Sequence, residues 1–183
     1  MHGVLQGSGS APAIWLAVSI ILIRTYNRRF HDDGIPNPTH THFIKKLLDA
    51  FVDDTDLWDI INDSTLTTQE MVARMQARAQ YWEQLLFTTG GKLNLSKCYW
   101  YLVKWHWDHM GNPVLATISD EPAILTLTNG NSHTPSIIAR KEPTSALKTL
   151  GLWTSPSGQQ TTHLDSMTGT FRSIVSNIKT VKL

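Results

Sequence analysis

The chain has 183 residues, of which 41% are hydrophobic and 17% charged, a composition typical of a globular protein and not of a disordered one. Its formal net charge of +1 excludes a strong overall attraction for nucleic acid, so any such binding must depend on local basic positions. The single cysteine, Cys98, excludes an internal disulfide framework and a cysteine-rich zinc module, and favours a reducing, intracellular compartment.

An apolar stretch near the N-terminus predicts the first helix. Residues 11–23 are nearly all apolar and Pro12 suits a first helical turn, so we expect a helix over residues 12–29 that is buried on more than one side. The arginines follow this stretch, and it is too short to span a bilayer, so we predict neither a secretory signal nor a membrane anchor. Residues 31–42 are rich in Asp, Gly, Asn and Pro, which predicts turns.

Two short apolar runs, residues 46–52 and 55–58, flank the acidic pair Asp53 and Asp54. This pattern predicts a β-hairpin that carries both carboxylates at its tip.

A second helix is predicted over residues 67–88. Thr67 and Glu70 have the spacing of a capping box, and Gly90 is placed to end the helix. Apolar residues follow at helical intervals and predict its buried face: Met71, Met75, Ala79, Trp82 and Leu86.

The remaining chain reads mostly as short strands. Residues 97–107 predict an aromatic strand, which residues 111–113 turn into a second strand at 114–118. We expect loops with scattered short strands up to residue 145, one more strand at 147–153, and a weakly helical tail at 163–178. The predicted fold class is α+β, a small antiparallel sheet with helices packed on one face.

The acidic pair is the most informative feature for function. Two adjacent carboxylates repel each other, and a divalent metal would neutralise them. In two-metal phosphoryl transfer, ions about 4 Å apart activate the attacking oxygen and stabilise the leaving one. A solvated Asp-Asp turn stays open as the alternative interpretation.

Several short motifs stand in the order found in reverse transcriptases. Phe51-Val-Asp-Asp54 resembles their aromatic-x-Asp-Asp box, residues 3–12 resemble their Gln-Gly loop, and residues 91–97 resemble their Gly-x-x-Asn-x-x-Lys motif. The aromatic hairpin that begins at Tyr99 stands where the family keeps its primer grip, and residues 150–152 are similar to a Leu-Gly segment of non-LTR retroelement enzymes. The resemblance implies an incomplete polymerase palm at residues 1–107, a post-palm connection at 108–153, and a thumb-like tail at 154–183.

The resemblance also implies roles for individual residues. Asp53 and Asp54 would bind Mg²⁺ or Mn²⁺, and Lys97 would stabilise the departing pyrophosphate. The template and the incoming nucleotide would contact Gln6, Gly7 and Lys92, and the primer end would contact Tyr99, Trp100 and Tyr101. For Lys97 an ordinary surface position stays open, and for the three aromatic residues plain sheet packing does.

The sequence departs from the family in one respect that matters for activity. The third metal carboxylate lies well upstream of the Gln-Gly loop, whereas here five residues precede Gln6 and none is acidic. We therefore expect an N-terminally truncated enzyme that is inactive alone. Its partners in the whole enzyme would be an RNA template, a DNA primer and deoxynucleotide triphosphates, with self-association through an exposed sheet edge. A non-catalytic nucleic-acid-binding or interaction module is the alternative.

Other chemistries fit the residues poorly. An EF-hand beginning at Asp54 would need Gly and Glu where Asp59 and Thr65 stand, and no Asp-Thr/Ser-Gly loop of an aspartic protease follows the pair. A zinc site from Cys98, His106 and His109 has irregular spacing.

Overall fold

The computed structural model of the protein describes residues 11–30, 34–37, 39, 41–45, 48–51, 54–149 and 152–180. The chain divides into two compact units. The first comprises Met1–Cys98 and Ala123–Ile138, and the second comprises Tyr99–Pro122 and Ala139–Leu183. The boundaries of these units differ from those of the three segments proposed from the motifs, which end at residues 107, 153 and 183. The three segments stay a prediction.

The described residues form three helices and eleven short strands. The helices are α1 (Ala11–Arg29), α2 (Thr68–Thr88) and α3 (Thr161–Thr180). The strands are β1 (Ile35–Pro36), β2 (Phe43–Ile44), β3 (Leu48–Phe51), β4 (Asp54–Leu57), β5 (Tyr99–Trp100), β6 (Trp105–Trp107), β7 (Pro113–Leu115), β8 (Leu125–Leu127), β9 (Ser136–Arg140), β10 (Leu147–Thr149) and β11 (Leu152–Thr154). The predicted α+β class is confirmed; the palm remains a prediction. None of the described helices is long and apolar enough to cross a membrane.

Helix α1 is confirmed in its extent but not in its burial. Only Leu22 and Tyr26 are buried, whereas Leu16 and Ile21 on other faces are more than 60% exposed. The expectation of burial on several sides was wrong because, within the described residues, α1 is packed along a single face.

That face forms the core of the first unit. Leu22 and Tyr26 cluster with Trp82 of α2, and the Tyr26 and Trp82 rings meet edge to face at 5.8 Å. Burial raises the pKa of Tyr26 to about 12, opposed by the nearby Arg78 guanidinium. Leu48 of β3 and Leu57 of β4 pack against the same cluster, so the core holds one side of the β3–β4 hairpin.

Helix α2 begins and ends as its sequence predicts. Thr67 accepts a hydrogen bond from the Glu70 amide at 3.3 Å, and the Glu70 carboxylate accepts one from the Thr67 amide at 2.8 Å. At the other end Gly90 has a φ of +84°, and the amides of Gly90 and Gly91 donate to the carbonyls of Phe87 and Leu86. This is a Schellman ending, which requires the left-handed residue that glycine supplies.

The buried face of α2 is only partly the predicted one. Ala79 and Trp82 are buried, but so are the polar side chains Arg78 and Glu83. Each of these buried polar groups has a partner, because Arg78 pairs with Asp59 and Glu83 accepts from the amide of Gly130.

Three polar side chains of α2 bond backbone groups along one edge of β8 and of residues 128–130, which continue it. Gln76 accepts from the Thr126 amide at 3.0 Å, and Gln80 accepts from the Thr128 amide at 2.8 Å while donating to the Thr128 carbonyl at 3.1 Å. The third, Glu83, accepts from the amide of Gly130 at 2.8 Å. The other edge of β8 pairs antiparallel with β9. Helix α2 thus satisfies an edge that would otherwise be open to pairing.

Two predicted strands are each divided in the structure. Residues 97–107 form β5 and β6 instead of one strand, and residues 147–153 contribute to a β10–β11 hairpin with Thr149 opposite Leu152. Strand β5 pairs parallel with the end of β9, Tyr99 opposite Ala139 and Trp100 opposite Arg140. Partners separated by 40 residues give no short-range signal, so the aromatic composition of residues 97–107 predicted a single strand.

The predicted aromatic hairpin is confirmed from β6 onward. Strand β6 pairs antiparallel with β7, Trp105 opposite Leu115. The Asp108 carboxylate accepts from the amides of Met110 and Asn112, both at 2.8 Å, and Gly111 has a φ of +79°. These bonds hold the pKa of Asp108 below its usual range, those from Asn112 contributing most.

Candidate nucleic-acid interface

The β3–β4 hairpin presents an acidic face opposite its apolar one. The register pairs Phe51 with Asp54 and Asp49 with Asp56, so these four positions share one face of the two-stranded sheet. Asp49, Asp54 and Asp56 are exposed. The alternating sequence therefore places three carboxylates on the solvent side, while the other side packs in the core.

The structure describes one of the two predicted metal ligands. Asp54 is the first residue of β4, whereas Asp53 lies outside the described residues. No group of three or more metal-binding side chains occurs in the part of the chain that the structure describes. The hairpin predicted from the sequence is confirmed, and its role as a metal centre stays a prediction.

Asp59, which follows the hairpin, has a structural role. Its carboxylate oxygen lies 3.0 Å from an Arg78 guanidinium nitrogen and 3.1 Å from one of Arg74. Arg78 also donates to the Trp58 carbonyl and stacks 5.4 Å from the Phe30 ring centre. This buried pair attaches the segment after β4 to α2, so Asp59 is committed to the fold and not to the acidic face.

The segment after α2 carries both predicted phosphate-binding lysines on the surface. Lys92 and Lys97 are exposed. A turn arranges the segment: the Lys97 amide donates to the Asn94 carbonyl at 2.9 Å, and the Ser96 hydroxyl donates to the Asn94 side chain at 2.8 Å. Exposed ammonium groups are suited to contact phosphate oxygens.

Lys92 lines a groove that the sequence does not reveal. The groove has a volume of about 580 Å³ and lies between residues 87–92 and residues 129–132. The Asn129 side chain donates to the Leu93 carbonyl at 3.0 Å, and Gly130 is fixed by Glu83. Asn129-Gly130-Asn131 is recognisable as turn chemistry, but nothing local predicts that it faces Lys92.

The predicted primer-grip residues fall in the second unit and differ in exposure. Trp100 is buried, with the Arg140 guanidinium 5.0 Å from its ring centre, which fits sheet packing. Tyr99 is 38% exposed, and its ring meets that of Tyr101 edge to face at 5.7 Å. The Tyr101 hydroxyl donates to the Ser145 carbonyl at 3.0 Å, and burial raises its pKa.

The expected hairpin through these aromatic residues was wrong in its first half. Tyr99 and Trp100 pair parallel with β9, and the antiparallel hairpin begins only at Trp105. The two template-loop residues, Gln6 and Gly7, lie outside the described residues.

Comparison of the chain with protein-family models, with curated proteins and with solved structures found no match.

Proposed function

We propose that this chain is part of an RNA-directed DNA polymerase that transfers nucleotides with two metal ions. The observation that carries the proposal is the β3–β4 hairpin, whose paired strands end at Phe51 and Asp54. In the sequence, Asp53 directly precedes Asp54. Carboxylates on a stiff hairpin are suited to hold Mg²⁺ or Mn²⁺, because this chemistry depends mainly on positioning. In this proposal Asp53 is the metal ligand and Asp54 supports it.

The lysines after α2 support the same proposal. Lys97 would face the departing pyrophosphate, where an ammonium group stabilises developing negative charge. Lys92 would contact the nucleic-acid backbone from the rim of the groove, together with the polar residues 129–132. Gln6 and Gly7 would contact the template and the incoming deoxynucleotide triphosphate.

The aromatic residues divide between two roles in this proposal. Tyr99 would present an exposed ring to the primer end, and Tyr101 would fix that ring through their edge-to-face contact. Trp100 would support both from inside the sheet, since its side chain is buried.

A non-catalytic nucleic-acid-binding module is the second candidate. The observation that favours it is the position of Lys92 and the groove, which require no metal to bind a phosphate backbone. The two candidates share the lysines and differ in Asp53 and Asp54, so the acidic pair discriminates between them.

Binding is tested by fluorescence anisotropy with a labelled RNA template annealed to a DNA primer, over a range of salt. Lys92→Ala combined with Lys97→Ala should weaken binding and lower the slope of log K against log salt by about 1 to 2, as expected for two lost phosphate contacts. Lys148→Ala, which removes another exposed lysine, is the matched control. Equal effects of the two changes would refute the assigned surface.

Catalysis is tested by primer extension on a poly(rA) template. The 183 residues alone should give no extension above background, because the third carboxylate of the site has no counterpart in residues 1–5. In a longer polymerase containing this chain, Asp53→Asn should abolish extension and leave template binding nearly unchanged. If the longer polymerase carrying Asp53→Asn binds template and still extends primers as fast as the wild type, the metal role is refuted and the second candidate is favoured.

A further inference from the structure

Helix α3 carries an apolar stripe that lies open to solvent. Its large apolar residues are each more than half exposed: Leu164, Met167, Phe171, Ile174 and Ile178. They alternate in steps of three and four residues, which is the a and d spacing of a heptad. An isolated helix gains nothing from this spacing, whereas a second helix packed along the stripe buries all five residues.

The composition of α3 indicates that it needs such packing. Thr168, Gly169 and Thr170 occupy its middle, and Ile174 and Val175 follow, all of them weak helix formers. Near its N-terminus α3 contacts β11, and the Trp153 amide of β11 donates a hydrogen bond to the His163 ring of α3 at 3.4 Å. Residues 164–174 are all exposed. Twenty residues of low propensity gain most of their helical stability from tertiary or quaternary contacts.

We propose that α3 pairs with α3 of a second copy of this chain in a short coiled coil. The positions that flank the stripe, equivalent to e and g, are Thr161, His163, Thr168, Thr170, Val175 and Asn177. None is an aspartate, glutamate, lysine or arginine, so two identical helices approach without the repulsion between such charges that would disfavour self-pairing.

The available area is sufficient for a weak, specific dimer. The stripe exposes on the order of 500 Å² on each copy, so pairing buries about 1,000 Å², the lower limit of specific interfaces. Buried area alone does not fix affinity, so for an interface at this lower limit we expect weak pairing, with a dissociation constant on the order of micromolar.

A membrane surface fits the helix less well. Interfacial helices carry Lys and Arg along their polar face. Here the polar face between the apolar residues consists mainly of Ser, Thr and Gly, and Asp165 against Arg172 and Lys179 leaves a single net positive charge.

The primary test is sedimentation equilibrium of the full chain from about 1 to 100 μM, a range that brackets micromolar dimerisation. The chain should change from monomer to dimer across this range. Phe171→Asp, at the centre of the stripe, should weaken association by more than about tenfold. Ser176→Asp is the matched control, since it places the same charge on the opposite face of the same helix. Equal effects of the two variants, or a monomer at every concentration, would overturn the proposal.

A cross-linking test keeps the proposal falsifiable if Phe171→Asp unfolds α3. In a Cys98→Ser background, Phe171→Cys should form a disulfide-linked dimer under mild oxidation, because residue 171 is at a central a position and meets its equivalent in a parallel pair. Ser176→Cys should cross-link far less. Equal cross-linking, or recovery of the wild-type chain with phosphatidylcholine–phosphatidylserine vesicles in place of dimer, would refute the coiled coil.

Discussion

Replacing Gln80 with Leu tests whether α2 closes the backbone edge that continues from β8 into Thr128. Gln80 makes two hydrogen bonds to Thr128, accepting from its amide at 2.8 Å and donating to its carbonyl at 3.1 Å. Each bond contributes about 1 kcal/mol net, and a half-buried group left without a partner adds a desolvation cost of about 1 kcal/mol or more. We therefore expect Gln80→Leu to lower the free energy of unfolding by about 2 to 3 kcal/mol.

Gln84→Leu is the matched control, because Gln84 is an exposed residue of the same helix. A substitution at such a position should change the free energy of unfolding by no more than about 0.5 kcal/mol. Urea denaturation followed by tryptophan fluorescence measures both variants.

Amide hydrogen exchange gives the local measurement. Loss of the Gln80 acceptor should accelerate exchange at Thr128 by about tenfold or more, since about 1.4 kcal/mol of local stability corresponds to that factor. Exchange at Thr126, which bonds Gln76, should change less. If the two Leu variants have the same urea midpoint and Thr128 keeps its wild-type protection, the proposed edge closure is refuted.

Four further predictions concern the start of α2, the groove and α3. Thr67→Ala should destabilise the protein by about 1 kcal/mol in urea denaturation, the usual effect of losing an N-cap side chain. Hydrogen bonds from Thr67 hold the pKa of Glu70 below its usual range. The stability that Glu70 contributes as a cap should therefore be present above the pKa of an unfolded carboxyl group and should be lost as the pH falls through the lowered pKa. A urea midpoint that depends on pH as strongly in Glu70→Gln as in the wild type would contradict this. Gly130→Ala should cost about 1 to 3 kcal/mol in the same assay, because Gly130 has a φ of +56° and an added Cβ would lie 2.9 Å from the Phe87 ring. Gly169→Ala should instead increase helicity by circular dichroism and stabilise α3 by about 0.5 to 1 kcal/mol, since its Cβ would meet no atom within 4 Å among the described residues.

The elements that the sequence predicted well are those with local causes. The capping box at Thr67 and the glycine stop at Gly90 define both ends of α2 within one helical turn. The β6–β7 turn is similarly local, since Asp108 and Gly111 are within four residues of each other. Cap and turn geometries depend on a few neighbouring residues, so the printed sequence contains what is needed to predict them.

The elements that the sequence missed depend on distant partners. The parallel pairing of Tyr99 with Ala139 joins residues 40 apart, and the bond from Thr128 to Gln80 joins residues 48 apart. A periodicity analysis of α2 predicts an apolar face, yet Glu83 is fully buried because a backbone amide of residue 130 is its partner. Buried polar residues of this kind become predictable only when the partner segment is known.

In the candidate site, too, the features with local causes were predicted and those that depend on distant residues were not. The two short apolar runs at residues 46–52 and 55–58 were enough to predict the hairpin, and the register adds that Asp49, Asp54 and Asp56 share its exposed face. The groove beside Lys92 was not predictable, because its second wall is formed by residues 129–132.

The acidic residues of the β3–β4 hairpin can be substituted without disturbing its packing, because they lie on the face opposite the core. Leu48 and Leu57 on the inner face pack against the core of Leu22, Tyr26 and Trp82, so hydrophobic burial on that face holds the hairpin. The carboxylates on the outer face are not part of this core, and like charges at directly opposed positions such as Asp49 and Asp56 disfavour pairing. An Asp→Asn change on the outer face therefore alters charge while preserving the packing that forms the strands. A loss of metal-dependent activity in such a variant would consequently report on the chemistry of the site and not on unfolding of the hairpin.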